Sequence, residues 1–392
     1  MKTIENLSHG GQIRRLRELA EAALSYYDLG NARISLLSRH ENSVFQVVAS
    51  PVIRRTLPEL EHADDDYYEE VGEEEEDEEQ DTMVDEPVLE LNQAVVPLER
   101  PTRFRYALRL YTENTISSAL LSSELQWLSA LRRDTGLLVP EPVPARNGAL
   151  LTEVPVEGMP HAIRCVVFRW VDGRFIDASL TPIHLERVGV LMARLHHHAR
   201  TFSPPSGFLR PRWEPSWIIG ENSVINPQFA KHATVPFSTH ATVPLSTHAS
   251  NILQATARKI EAEIQSLPQD AENYGLIHYD LQQTNYLFYK DEARAIDFKD
   301  CCFGYYLFDI AITLSSLLNR PGEQAMSEAF FRGYASLRTL PPQCEERLPA
   351  FIAMSLIKRA NQLLHTRDAQ TREMAPEWLA HIINWLEKFL EP

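Results

Sequence analysis

Between Glu59 and Glu90 the chain carries 18 Asp and Glu and not one Lys or Arg. Like charges at this density repel one another and offer no apolar surface to bury. The block and its proline-bearing flanks, about 56–102, are therefore expected to stay solvated and disordered. Whatever folds here must fold around an interruption. The block also explains the net charge of −16: taking its 18 carboxylates from the 54 in the chain leaves 36 against 38 Lys and Arg. The rest is close to neutral, so the acidity says nothing about the charge of an active site, while it argues against nucleic acid as a partner.

On either side of the block the patterning is regular. Residues 12–28 place apolar side chains at helical spacing. Ala32–Leu37 and Val44–Ala49 read as strands joined by the loop Ser38–Ser43. Arg103–Tyr111 is a further strand, and a helix carrying Leu120, Leu121, Leu125, Leu128 and Leu131 follows it. Two more strands lie near Ala149–Val154 and Ile163–Trp170, then a turn at Val171-Asp172-Gly173. Beyond Leu180 the helical period dominates: Leu185–Ala199, Ile252–Leu267, Ile310–Leu318, Ser327–Leu337, Leu348–His365 and Trp378–Leu390. An irregular stretch at about 201–250 holds a short tandem repeat that begins at His232, His240 and His248. Two and a fraction copies are too few for a solenoid, and the segment reads as a duplicated surface loop rather than a metal site. Strands first and helices later give an α+β arrangement of two lobes, divided at about residue 170. No apolar run is long enough to span a bilayer, and no apolar stretch follows the N-terminal residues as in a secretory signal. The four cysteines, Cys165, Cys301, Cys302 and Cys344, lack metal-ligand spacing. The expectation is a cytoplasmic protein with reduced thiols and no membrane partner.

The chemistry is concentrated in His278-Tyr279-Asp280-Leu281-Gln282-Gln283-Thr284-Asn285 and Ala295-Ile296-Asp297-Phe298. An Asp, an Asn five positions later and a second Asp twelve beyond that, each flanked by apolar residues, is the layout of a phosphoryl-transfer site. One carboxylate sits at the attacking hydroxyl, and an amide oxygen with a second carboxylate holds magnesium on the nucleotide. Asp280 is the candidate base, and Asn285 and Asp297 are the candidate Mg2+ ligands. His278, two residues before the base, is expected to hydrogen-bond backbone and hold the catalytic loop. The spacing also allows a hairpin, Tyr286–Tyr289 against Ala293–Phe298.

These residues, with Phe303-Gly304-Tyr305 and Phe308-Asp309-Ile310-Ala311, resemble the aminoglycoside phosphotransferase and choline/homoserine kinase superfamily. The resemblance covers most of residues 30–365 apart from the two inserts. It implies a bilobal protein-kinase-like fold: a small antiparallel-sheet lobe (1–170) that binds ATP, and a larger, mainly helical lobe (171–392) with the catalytic loop. It also implies a nucleotide-phosphate cation at Arg109, paired with Glu124 on the next helix, and a hinge at Trp170–Gly173. The loop ending at Ser43 falls where kinases keep a glycine-rich phosphate cover, here without glycine. Asp309 is expected to cap its helix or brace the catalytic loop. The sequence departs from the common pattern at Tyr279 (usually Gly), Gln282 (usually His), Lys299 (often acidic) and Arg109 (usually Lys).

The implied activity is transfer of the ATP γ-phosphate to a hydroxyl of a small molecule, with Mg2+ as cofactor. Two alternatives stay open: a protein Ser/Thr kinase of the bacterial stress-response type, and a nucleotide-binding pseudoenzyme whose acidic loop is the working part. Arg210, Arg212, Trp213 and Trp217 are candidates for acceptor recognition or for packing. In this fold the acidic block interrupts a hairpin, where it either stays a solvated loop, docks a basic partner or covers the empty cleft.

Overall fold

The computed structural model describes residues 7–39, 42–51, 103–113, 116–157, 159, 161–214, 245–264, 267–366 and 368–391. The acidic block, Trp217, His232 and His240 lie outside them. Helix α1 (His9–Leu24) is capped by Ser8 and buries Leu16, Leu19, Ala20 and Ala23, the face that its three-and-four spacing defines. That face lies on a six-stranded antiparallel sheet made of β1 (Leu29–Arg39), β2 (Ser43–Pro51), β3 (Phe104–Tyr111), β4 (Pro142–Val143), β5 (Thr152–Val154) and β6 (Ile163–Arg169). The order is β1-β2-β3-β6-β4, with β5 also on β6. β2 and β3 pair without a slip from Ser43 opposite Leu110 to Ala49 opposite Phe104. The acidic block thus interrupts a hairpin of neighbouring strands, which is tolerable because closure entropy grows only logarithmically with loop length.

Alternation along β2, β3 and β6 separates two cores. Phe45, Val47, Leu108, Leu110 and Val167 join α1 in one cluster. Val166 and Phe168 face the opposite way, onto Leu125, Trp127, Leu128 and Leu131 of α2 (Ser118–Thr135), and that cluster continues into the helical half. One core therefore ties the helix of the small lobe to the large lobe. The segment expected to form the hinge is fastened as well. Arg174 and Phe288 exchange both backbone hydrogen bonds at 3.0 Å. A side chain at Gly173 would put Cβ 2.7 Å from Leu287 Cβ, so only glycine admits this approach.

The helical half contains α3 (Pro182–Thr201), α4 (Thr247–Ile264), α5 (Tyr306–Ser315), α6 (Glu323–Ala335), α7 (Cys344–Leu364) and α8 (Ala369–Leu390). α3 and α6 touch backbone to backbone: a Cβ on Gly189 would lie 2.1 Å from the Phe330 carbonyl oxygen, and one on Gly333 1.9 Å from that of Glu186. Two small antiparallel pairs sit among the helices, β7 (Tyr274–Ile277) with β10 (Cys302–Tyr305), and β8 (Tyr286–Tyr289) with β9 (Glu292–Ala295). The second is the expected hairpin with a shorter return strand. Two expectations are corrected. The irregular stretch ends earlier than residue 250, because α4 already begins at Thr247 and carries His248 in its first turn. α8 begins at Ala369 behind the Asp368 cap and runs through Pro376, whereas the sequence pattern starts only at Trp378. All four cysteines are free and buried. No helix among the described residues is long and apolar enough to cross a membrane.

Candidate active site

The chain leaves β7 at Ile277 and turns through residues 278–285 before β8. The brace for this turn comes from α5. Asp309 is fully buried and accepts from the amides of His278 and Tyr279, each at 2.8 Å, and from His196 Nε2 of α3 at 3.3 Å. Burial alone would raise the Asp309 carboxyl, but the hydrogen bond and charge of His196, with His278, bring it below the usual carboxylate range. His278 donates through Nε2 to the Ile296 carbonyl at 3.0 Å and accepts on Nδ1 from the Asp280 amide at 3.3 Å. Both ring nitrogens are spent on backbone and the ring is fully buried, so His278 holds the loop and presents nothing to an acceptor.

The turn sends Asp280 toward α7. Lys358 donates to Asp280 Oδ1 at 2.9 Å, and Asn285 donates to Oδ2 at 2.7 Å and to the Asp280 carbonyl at 2.8 Å. Gln282 approaches both carboxylate oxygens at 3.3 and 3.4 Å. Burial pushes the Asp280 carboxyl up, and Lys358 outweighs it, so the pKa lies below the ordinary value and the group is ionised at neutral pH. With its amide nitrogen committed to Asp280, Asn285 can offer only its oxygen to a cation. The hairpin returns the second carboxylate beside it: Tyr286 pairs with Ala295, and the Ile296 amide donates to the Asn285 carbonyl at 2.9 Å. Asp297 follows in a left-handed conformation, φ 62°, which an Asp tolerates better than most residues.

Asp297 also meets the sheet. Arg109 on β3 donates to Glu124 of α2 at 2.8 Å and to Asp297 at 3.3 Å, with Phe168 beneath its guanidinium. Glu124 is buried, so this ion pair holds α2, β3 and the catalytic half in one arrangement. Ser43, at the end of the loop expected to cover the phosphates, does not join this arrangement. Opposite Leu110, it lies on the α1 face of the sheet, away from Arg109, so its hydroxyl does not point to the Arg109 side. The physical reason is strand alternation: Val44, not Ser43, pairs with Arg109.

The chemistry of the donor set fits a magnesium nucleotide. Asn285 and Asp297 provide hard oxygen donors, and Mg2+ ordinarily completes its shell with water and phosphate oxygens rather than with an all-protein cage.

A pocket of about 470 Å3 opens beside Asp280, lined by residues of α5, α7 and α8, Trp378 and Trp385 among them. Lys358 and this wall were missed by sequence reasoning, because they lie on helices whose pattern announces only packing. The acceptor candidates Arg210 and Trp213 prove structural. Arg210 donates to the carbonyls of Cys301, Lys299 and Leu120, and Trp213 is 1% exposed. Arg212 lies over the Phe303 ring.

Comparison with known proteins agrees with this geometry. A model of the phosphotransferase enzyme family matches residues 91–347. Amicoumacin kinase of Bacillus subtilis (strain 168) is 24% identical over 261 residues, covering 64% of this chain and 70% of that one. The structure of a microcompartment-associated aminopropanol kinase superposes with a TM-score of 0.69 at 23% identity, over 95% of this chain and 97% of the other. An amicoumacin kinase in complex with AMP-PNP, Ca2+ and Ami superposes with a TM-score of 0.64 at 17% identity, over 96% of each chain. These superpositions establish the protein-kinase-like fold.

Proposed function

The chain belongs to the phosphotransferase enzyme family, as an ATP-dependent phosphotransferase with an alcohol group as acceptor, and from that premise we propose that it phosphorylates a small molecule seated in the pocket beside Asp280. One observation carries the reading. The same carboxylate borders a small-molecule-sized pocket and is hydrogen-bonded to Asn285, the residue whose remaining oxygen suits the nucleotide's cation. Acceptor and nucleotide would then meet at Asp280. A cavity walled by α7 and α8 favours a compact metabolite over an extended protein segment. The relatives point the same way, being kinases named for amicoumacin and aminopropanol.

In this reading Asp280 orients the acceptor hydroxyl and takes its proton as the bond to phosphorus forms. Lys358 keeps that carboxylate ionised and aimed. Asn285 and Asp297 would hold Mg2+, which when bound offsets charge on the β- and γ-phosphates. Arg109 would reach the phosphates as a planar fork steadied by Glu124. His278 and Asp309 fix the loop from behind. The test is Asp280→Asn, which is nearly isosteric. Turnover should fall by a factor on the order of 10² to 10⁴ with nucleotide binding retained. Undiminished turnover would remove Asp280 from the chemistry.

A further inference from the structure

The pocket carries a charge pattern that bears on the acceptor's class, given the reading of it as the acceptor site. Among its described lining residues Asp280 is the sole carboxylate, against Arg320, Lys358, Arg359 and His381. Asp280 is already engaged by Lys358 and Asn285. Arg320 is answered by Asp177 at 2.5 Å and by Gln283 at 2.6 Å. His381 lies 4.0 Å from the exposed Glu377. Arg359 differs from these. Among the described residues no carboxylate lies within ion-pair distance of it, and its contacts are Gln362 Oε1 at 3.5 Å and the Trp378 ring 5.1 Å from its guanidinium carbon. Burial lowers its pKa, the signature of a cation desolvated without full compensation, with Asp280 the charge that opposes the shift.

An amine brought into this cavity would meet cations and a carboxylate that is already occupied. A polycation such as an aminoglycoside would meet this at several points. An oxyanion would find a guanidinium backed by an indole face and free to make a forked, charge-assisted contact. We propose that the acceptor is a small alcohol bearing a carboxylate or other oxyanion remote from the reacting hydroxyl, and that Arg359 receives this anion against Trp378 while Asp280 receives the hydroxyl. The acceptor class is then set by α7, which places Lys358 at the base and Arg359 one residue on at the anion.

Calorimetric titration of the enzyme saturated with AMP-PNP and Mg2+ tests this directly. The probes are two triads matched except for terminal charge, glycerate, glycerol and 3-amino-1,2-propanediol, then gluconate, sorbitol and glucamine, with kanamycin as polycation. In at least one triad the acid should bind about tenfold or more tighter than the alcohol and the amine, the range expected for one charge-assisted contact. Arg359→Gln should abolish that preference, Arg359→Lys should keep part of it, and neither should alter AMP-PNP affinity. Tighter binding of an amine or of kanamycin overturns the proposal, as does absence of acid preference in both triads. So does an Arg359→Gln variant that weakens AMP-PNP, since the guanidinium would then serve the nucleotide. Turnover with ATP separates the two levels of inference. Preferential acid binding without phosphoryl transfer to any probe leaves the anion site standing and counts against the acceptor reading of the pocket.

Discussion

Replacing Lys358 by Met removes an ammonium 2.9 Å from Asp280 Oδ1 while keeping the length of the side chain. Both partners are largely buried, with side chains 13% and 15% exposed. Two unit charges at that separation attract by roughly 6 kcal/mol at an effective dielectric constant of ~20, and their desolvation offsets several kcal/mol of this. In the variant the burial that Lys358 had outweighed is opposed only by the smaller effects of His278 and Lys299. An opposite charge at contact moves a carboxylate by about 1–3 units, so the acid limb of the kcat/KM profile should move up by that amount. The stability consequence has a definite sign. In the wild type the depressed Asp280 pKa contributes stability that is present above the unfolded value of ~3.9 and lost as pH falls through the lower folded value. In Lys358→Met the folded pKa rises and this contribution shrinks. The variant is then destabilised at neutral pH, by about 3–5 kcal/mol for a broken buried pair, and recovers part of this as the pH falls and Asp280 protonates. A pH–rate profile and thermal unfolding at neutral and mildly acidic pH measure both effects. An unmoved acid limb together with an unchanged Tm would refute the claim that Lys358 sets the state of Asp280.

Arg109→Gln leaves Glu124 buried and unpaired, so the expected result is a loss of about 3–5 kcal/mol in stability and a raised KM for ATP with the acceptor KM unchanged; Arg109→Lys should restore much of both, and denaturant titration with two-substrate kinetics reads them. Gly189→Ala drives a methyl into the Phe330 carbonyl, 2.1 Å away, which should cost about 1–3 kcal/mol or more and lower Tm without shifting either KM. Deleting residues 57–100 should leave Tm nearly unchanged, because shortening a loop changes closure entropy only slowly. The same deletion decides the role proposed for the acidic segment: if the segment covers the cleft or docks a basic partner there, its removal alters the KM values, and identical kinetics excludes the cleft-covering role.

What was legible in the sequence was local. Asp280, Asn285 and Asp297 fall within 18 consecutive residues, and a loop followed by a two-stranded hairpin brings them near one another. The small lobe was legible because strand alternation and helical spacing survive on either side of the acidic block. Longer-range partners were not. Lys358 stands 78 residues from Asp280, and on α7 it looks like any cation on the wet side of an amphipathic helix. β4, β7 and β10 have two to four residues each, too few for a period to register. Ser43 differs for another reason: its sequence position put it at the end of the loop, and only the pairing with Leu110 places it on β2 and decides which face it occupies.

The departures from the family pattern, Tyr279 and Gln282, become intelligible once Lys358 is in place. Residue 279 has φ 67°, a conformation that glycine adopts freely and a tyrosine at a cost on the order of 1–2 kcal/mol. Compensation is visible on three sides. The Tyr279 amide is held by Asp309 at 2.8 Å, its carbonyl accepts from Lys358 at 2.8 Å, and its ring lies 4.5 Å beneath the same ammonium and against Phe308. A glycine would relieve the backbone and leave Lys358 without the aromatic face that directs it to Asp280. Gln282 fills the remaining approach to that carboxylate with a neutral amide. Tyr279, Gln282 and Lys358 therefore form one local arrangement around Asp280, in which the cation beside the carboxylate comes from α7. The next residue on that helix, Arg359, also lines the pocket, so the cation beside Asp280 and the charge of the pocket come from the same turn of α7.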